Sequence, residues 1–173
     1  KMRRIHTCVL LILVLSPVVG AEMVHQSARQ IPVVRQVDVV VVGGSLGAVA
    51  AATQATREGA SVLLVGSRPY LGEDLNATMR LWLDEGESVE GELTRRIFSD
   101  RRITTPMRCK KFLEAALLEA GAEFLLCCYP TDLLVDEHGE PAGIVMANRA
   151  GRQAVIARVI IDATERAIVA KMA

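Results

Sequence analysis

The stretch Val37-Asp38-Val39-Val40-Val41-Val42-Gly43-Gly44-Ser45-Leu46-Gly47-Ala48 decides the fold. An apolar run ends in a glycine cluster, and an alanine-rich segment follows. A strand that is apolar at successive positions, rather than at alternate ones, marks a parallel sheet whose two faces are both covered by helices. The glycines predict a tight turn straight into a helix. The first N–H groups of a helix have no intrahelical partner, which makes that turn a ready seat for a phosphate.

Working outward, the strand reaches back to Val33, and the helix is predicted over residues 47–58. Ala48, Ala51, Ala52 and Ala55 give that helix a small-residue face that can lie close against a sheet, and Gly59 ends it. Residues 61–65, Ser-Val-Leu-Leu-Val, read as a second buried strand. Strand, helix and strand within about thirty residues describe a dinucleotide-binding unit. Residues 70–91 are charged and irregular around one apolar knot, Leu81-Trp82-Leu83. Arg80, Trp82 and Asp84 lie where a loop could meet a substrate, but read more readily as a packed Trp among solvated charges. A helix is predicted over 92–98, and another over 106–120 with Thr105 as N-cap and Pro106 in its first turn. The apolar face of the second comprises Phe112, Leu113, Ala116, Leu117 and Ala120, and Gly121 caps it. A third strand is predicted over 123–128.

The pattern then changes. Short strands at 132–135, 143–147 and 153–157, separated by turns at 136–139 and 148–151, form a β-meander. A last apolar strand, 158–162, returns to the parallel sheet, and a helix is expected to start within 162–167.

Composition narrows the class. A chain of 173 residues holds one ordinary domain. With 51% hydrophobic but 3% aromatic residues, tightly packed α/β layers are favoured over a β-sandwich. Twenty basic residues balance twenty acidic ones, and no basic stripe with interleaved aromatics argues for nucleic acid. Cys8, Cys109, Cys127 and Cys128 match neither a zinc spacing nor a CxxC motif. His6, His25 and His138 stand apart from any nucleophile pattern, and no phosphate-loop lysine is present.

Arg3 and Arg4, the apolar run 8–15, Pro17 and the small residues Gly20 and Ala21 describe a signal peptide over residues 1–21, cleaved after Gly20 or Ala21. The run is too short to span a bilayer. An exported protein, periplasmic or extracellular, with no stable membrane span after cleavage is expected. Residues 22–35 read as a linker and 36–173 as the folded domain.

The βαβ unit, the meander and the strand ending Ile160-Ile161-Asp162-Ala163-Thr164 occur in an order that resembles the FAD-binding domain of glutathione-reductase-like two-domain flavoproteins. More narrowly, the chain resembles bacterial FAD-dependent oxidoreductases that carry Asp-Val-Val-Val-Val-Gly-Gly-x-x-Gly-Gly/Ala. The resemblance runs from about Val37 to the C-terminus. It implies a Rossmann-like α/β fold, a parallel sheet with an inserted meander, FAD as cofactor, and hydride transfer from a small-molecule substrate to flavin N5. It places Gly43 at the turn, Ser45 at the close approach to pyrophosphate and Ala48 at the helix–strand packing position, with Gly44, Leu46 and Gly47 completing the loop. Ser45 replaces a glycine; its hydroxyl either points away or bonds a phosphate oxygen.

The acid that bonds the adenosine ribose is replaced by Gly66, which leaves Ser67 or Arg68 to serve. Leu71-Gly72 keeps the first two residues of the family's Leu-Gly-Gly, and Glu73-Asp74 follows. No cysteine lies between Leu71 and Arg80, which argues against disulfide-reductase chemistry. Pro130 is the nearest candidate for an adenine contact, through its carbonyl alone. Asp162, Ala163 and Thr164 match the closing strand, with Glu165 in place of a glycine. The substrate domain is expected to lie beyond Ala173, making this chain an incomplete N-terminal part. Two other readings stay open: an NAD-dependent dehydrogenase domain, and a degenerate, non-catalytic dinucleotide-binding fragment.

Overall fold

A computed structural model describes residues 28–99 and 101–173. The expected signal peptide, the first six residues of the linker (22–27), and Cys8, His6 and His25 lie outside the described residues.

Ten elements follow in order: β1 (Val33–Val42), α1 (Leu46–Arg57), β2 (Val62–Val65), α2 (Glu73–Asn76), α3 (Glu92–Phe98), α4 (Pro106–Ala120), β3 (Glu123–Leu125), β4 (Tyr129–Val135), β5 (Pro141–Asn148) and β6 (Gly151–Asp162). β1 thus takes up the last residues of the expected linker. Six strands form one sheet in the order β3-β2-β1-β6-β5-β4. The β3-β2-β1-β6 half is parallel, with Val39–Val42 in register with Val62–Val65 and Leu63 opposite Glu123. The β6-β5-β4 half is antiparallel.

The sequence predicts two strands at 153–157 and 158–162; the chain makes one. The first half of β6 pairs with β5 on one side and β1 on the other, and its second half continues along β1 to Val42 opposite Asp162. From Gln153 to Asp162 there is no Gly or Pro, and Val155, Ile156 and Val159 to Ile161 favour a strand, so one strand serves both the meander and the parallel sheet.

β3 is shorter than expected. It stops at Leu125 because Cys127 turns to φ 57°. Cys127 N–H then donates to Arg68 O and Cys128 N–H to Gly66 O, which swings the chain past the end of β2. Cys127 is exposed and Cys128 buried, and both are free thiols.

The helix expected after β6 does not form; residues 163–172 make turns. The Asp162 carboxylate is the cause. It accepts from Thr164 N–H (3.0 Å) and Thr164 Oγ1 (2.6 Å) on one oxygen and from Ala170 N–H (2.9 Å) on the other. A side chain that captures nearby backbone donors competes directly with a helix.

The expectation of helices on both faces also fails. The helices lie on one side, where Val39, Val41, Val62 and Leu64 meet Ala48, Val49 and Ala52 of α1 and Cys109, Leu113, Ala116 and Leu117 of α4. Val40, Val42, Leu63 and Val65 point the other way and are buried by Ile144 and Met146 of β5, Val155 of β6, Cys128 and Val169. The meander therefore does the work of a second helical layer. Burial of both faces is what the continuous apolar run demanded; the covering element is different.

The local signals act as read. Thr105 Oγ1 accepts from Arg108 N–H, and Gly121 takes φ 81° at the end of α4. Gly59 takes φ 90° just after α1. In α1, Thr53 joins Ala48, Val49 and Ala52 in the buried face, its hydroxyl donating to Val49 O (2.9 Å). Among the described residues no helix is long and apolar enough to cross a membrane.

Candidate functional site

β1 neighbours β2 on one side and β6 on the other, so the chain leaves its C-terminal end at a point where the sheet order reverses. Crevices at such points are where open α/β sheets take ligands. A cleft of about 420 Å³ opens there. Val42 and Gly43 form its floor, Ser67 and Arg68 one wall, and Thr164 and Glu165 the other.

Gly43 makes this geometry possible. Its φ is 135°, its N–H donates to Val65 O (2.9 Å), and Ala163 N–H donates to Val42 O (2.8 Å). A Cβ at Gly43 would sit 2.5 Å from Ala163 O, inside the backbone of the neighbouring strand. Gly44 is under no such constraint, its nearest neighbour to an added Cβ being Tyr70 O at 3.6 Å.

The start of α1 is an anion seat, and carboxylates sit on it. Gly44 N–H donates to Glu73 Oε1 (3.1 Å), and Leu46 N–H donates to both oxygens of Asp74 (3.0 and 3.2 Å). Ser45 resolves to the N-cap: its Oγ accepts from Ala48 N–H at 3.1 Å. Ala48 is fully buried against the sheet. Gly47 and Leu46 also border a separate cavity on the outer side of α1, with Thr53, Gln54 and Arg57.

Where the ribose acid was expected, Gly66 N–H donates to Leu125 O, and the end of the Leu126 side chain, Cδ2, lies 3.0 Å from where a Cβ would stand. Arg68 reaches back so that its Nε lies 3.9 Å from Glu73 Oε2.

Leu71 is in the core, and Gly72, at φ 75°, donates its N–H to Gly44 O (2.6 Å). These two residues tie α2 to the glycine turn rather than line the cleft. Asp162 likewise spends its carboxylate on its own loop. Partial burial opposes its charge, but hydrogen bonds from the Thr164 hydroxyl and the Ala170 and Thr164 N–H groups outweigh that and hold its carboxyl below the usual range.

Arg80 pairs with Asp84 (3.1 Å) and Glu87 (2.9 Å), and Trp82 Nε1 donates to Asp84 (3.2 Å), so that loop satisfies itself away from the cleft. Pro130 does line the cleft, beside Tyr129. Glu73, Tyr129, Arg166 and Ile168 are cleft residues the sequence reading did not assign. For Glu73 the signal was its replacement of the second glycine in Leu-Gly-Gly. The others come from elements whose fold positions follow no local pattern. Among the described residues no group of three or more His, Cys, Asp or Glu side chains is arranged to hold a metal ion.

The family model described as FAD dependent oxidoreductase matches residues 38–173. The chain belongs to the FAD-dependent oxidoreductases. FAD is thus its cofactor. No curated protein matches this chain in sequence. Among solved structures it is similar to the THI4 protein of Thermovibrio ammonificans, with TM-score 0.59 and 16% identity over 79% of this chain and 61% of that one. It is similar to a geranylgeranyl bacteriochlorophyll reductase-like protein of Thermoplasma acidophilum, with TM-score 0.56 and 22% identity over 80% and 42%. A 3-ketosteroid-delta4-(5alpha)-dehydrogenase of Rhodococcus jostii RHA1 gives TM-score 0.52 and 16% identity over 75% and 46%. At these identities the likeness is one of fold. The chain spans between about two fifths and three fifths of the length of these proteins.

The residues present fit the dinucleotide part of FAD. Gly43 lets two strand ends approach without a side chain between them, and the adjoining amide donors hold negatively charged oxygens.

Proposed function

We propose that this chain is the cofactor-binding part of an oxidoreductase that acts on a small molecule. The observation that carries the reading is the glycine turn at the C-terminal end of β1, with its anion-holding amides beside a cleft at the switch point of the sheet. When bound, FAD would supply hydride acceptance at N5. The amides of Gly44 and Leu46 hold the pyrophosphate, since a helix start favours negative charge there. Ser67 and Arg68 serve the adenosine ribose that an acid serves elsewhere, Arg68 by its donors alone. Tyr129 and Pro130 flank the adenine end, and Thr164 closes the opposite wall. Asp162 acts on that wall indirectly, by holding Thr164 and the loop to Ala170 in place.

The test is the colour and cofactor content of the protein made with whatever coding sequence follows residue 173. The purified protein should be yellow and release flavin on denaturation. A colourless protein that also fails to take up added FAD overturns the reading. Uptake of a nicotinamide dinucleotide without flavin would put a dehydrogenase domain in its place, and indifference to every dinucleotide a non-catalytic fragment. Export is a separate part of the proposal, supported by the charged, apolar and small-residue succession of residues 1–21. N-terminal sequencing of the protein from outside the inner membrane should begin at Ala21 or Glu22; recovery of residues 1–20 on a cytoplasmic protein overturns it.

A further inference from the structure

The donors that a dinucleotide phosphate needs are already taken. Both acceptors come from α2, a single turn that follows directly on Gly72. Glu73 is half-buried in the cleft wall, and Asp74 sits over the first turn of α1. Two carboxylates on these amides do for the empty turn what a phosphate would do: they satisfy polar hydrogens at a helix start and answer its partial positive charge. They cannot share those hydrogens with a phosphate, and they would repel it at close range.

We propose that α2 is an internal competitor for the cofactor's phosphates, which must swing off the start of α1 before FAD seats. This rests on the reading that FAD binds in this cleft.

The attachment of α2 suits such a movement. It hangs from Gly72, whose left-handed backbone is a natural pivot, and Met79 at φ 59° marks another bend just beyond its C-terminal end. Its present seat is imperfect. Asn76, 8% exposed, donates Nδ2–H to Leu71 O (3.0 Å) while its Oδ1 has no hydrogen-bond partner in the protein. A buried acceptor left in that state favours any arrangement in which it finds a donor. Arg68, with Nε 3.9 Å from Glu73 Oε2, is placed to receive either partner: the Glu73 carboxylate when α2 is docked, or a phosphate or ribose oxygen once it has left. The family's Leu-Gly-Gly carries no charge at its third position, where this chain has Glu73, followed directly by Asp74.

Three proteins test the proposal by flavin fluorescence titration and calorimetry: the unaltered chain, Glu73→Gln, and Glu73→Gln with Asp74→Asn. The amides keep the shape and an acceptor oxygen but lose the charge, so the fold is retained and the competition is weakened. FAD should bind the double variant at least tenfold more tightly than the unaltered chain, with the single variant between. ADP, which keeps the pyrophosphate and lacks the flavin, should show the same gain, and riboflavin, which has no phosphate, should show none. In the cofactor-free proteins, hydrogen exchange at the Gly44 and Leu46 amides should be faster in the double variant. Equal or weaker FAD binding by a folded double variant overturns the competitor. Failure of all three proteins to bind FAD removes the cofactor reading itself, and the competitor with it. A gain for riboflavin equal to that for FAD shows that the carboxylates act through general packing, and also overturns it.

Discussion

Gly43 adopts φ 135° with its α-hydrogen facing Ala163 O, a position that no side chain can share. Gly43→Ala should cost about 1–3 kcal/mol from backbone strain, and more from the clash, read as a lower urea midpoint. Dinucleotide binding by that variant should be lost. Asp38 belongs to the same apolar motif but works at its other end. Its carboxylate accepts from Ser61 Oγ (2.6 Å) and Ser61 N–H (2.9 Å), which lowers its pKa and ties β1 to the start of β2. Asp162 is the third residue of this kind. Its folded pKa lies below its unfolded value of about 3.9, so its stabilisation is present above that pH and is lost as pH falls through the folded value. Asp162→Asn should destabilise the protein by about 1 kcal/mol at pH 7 through weaker hydrogen bonds. The difference between variant and parent should shrink as pH falls through the acid range and Asp162 takes up a proton, which thermal melts across a pH series will show. At this scale the sequence was legible wherever backbone geometry forced a residue, as at Gly43. It was silent where a partner distant in sequence decided, as with Glu73 on the Gly44 amide.

Helices α1 and α4 were readable because their caps and faces are local properties. Ser45 caps α1, Thr105 caps α4, and small residues at helical spacing place Ala48 and Ala52 against the sheet. Leu113 is fully buried where α4 meets α1 and α2, and its Cδ1 methyl lies 2.7 Å from where a Cβ on Gly72 would stand. Leu113→Ala should cost about 2–5 kcal/mol in chemical denaturation. The meander has an equally strict point. At Gly143, φ is 147° and a Cβ would come within 2.1 Å of Val155 O, so β5 and β6 can pair there only around a glycine. Gly143→Ala should break the β5–β6 pairing and leave the chain as a poorly soluble species, measured as lost β-signal in circular dichroism and a rise in light scattering. The end of β3 and the turns after β6 were not readable. Each depends on a contact made in the folded state: Cys128 N–H to Gly66 O in one, Ala170 N–H to Asp162 in the other.

The two faces of the sheet hold two apolar clusters that share β1 and β2, with alternate residues of Val39–Val42 and Val62–Val65 assigned to each. Because the strands are common to both, neither cluster can dissolve alone. Leu113→Ala on the helical face and Ile144→Ala on the meander face should each shift one and the same unfolding transition, with no intermediate by fluorescence or circular dichroism. Separate transitions would show that the meander folds as a unit of its own. The sequence by itself determined the dinucleotide-binding order of elements, because a buried parallel strand, a glycine turn and a capped helix are specified by neighbouring residues. It also determined that both faces of β1 had to be buried, since every residue from Val39 to Val42 is apolar. Only the tertiary structure decided what covers the second face, and that β6 is one strand with two kinds of neighbour. Only it decided that Glu73 and Asp74 lie on the amides at the start of α1, 29 and 28 residues away along the chain. Those outcomes depend on how separate elements meet in space, which pairs residues that no local pattern relates.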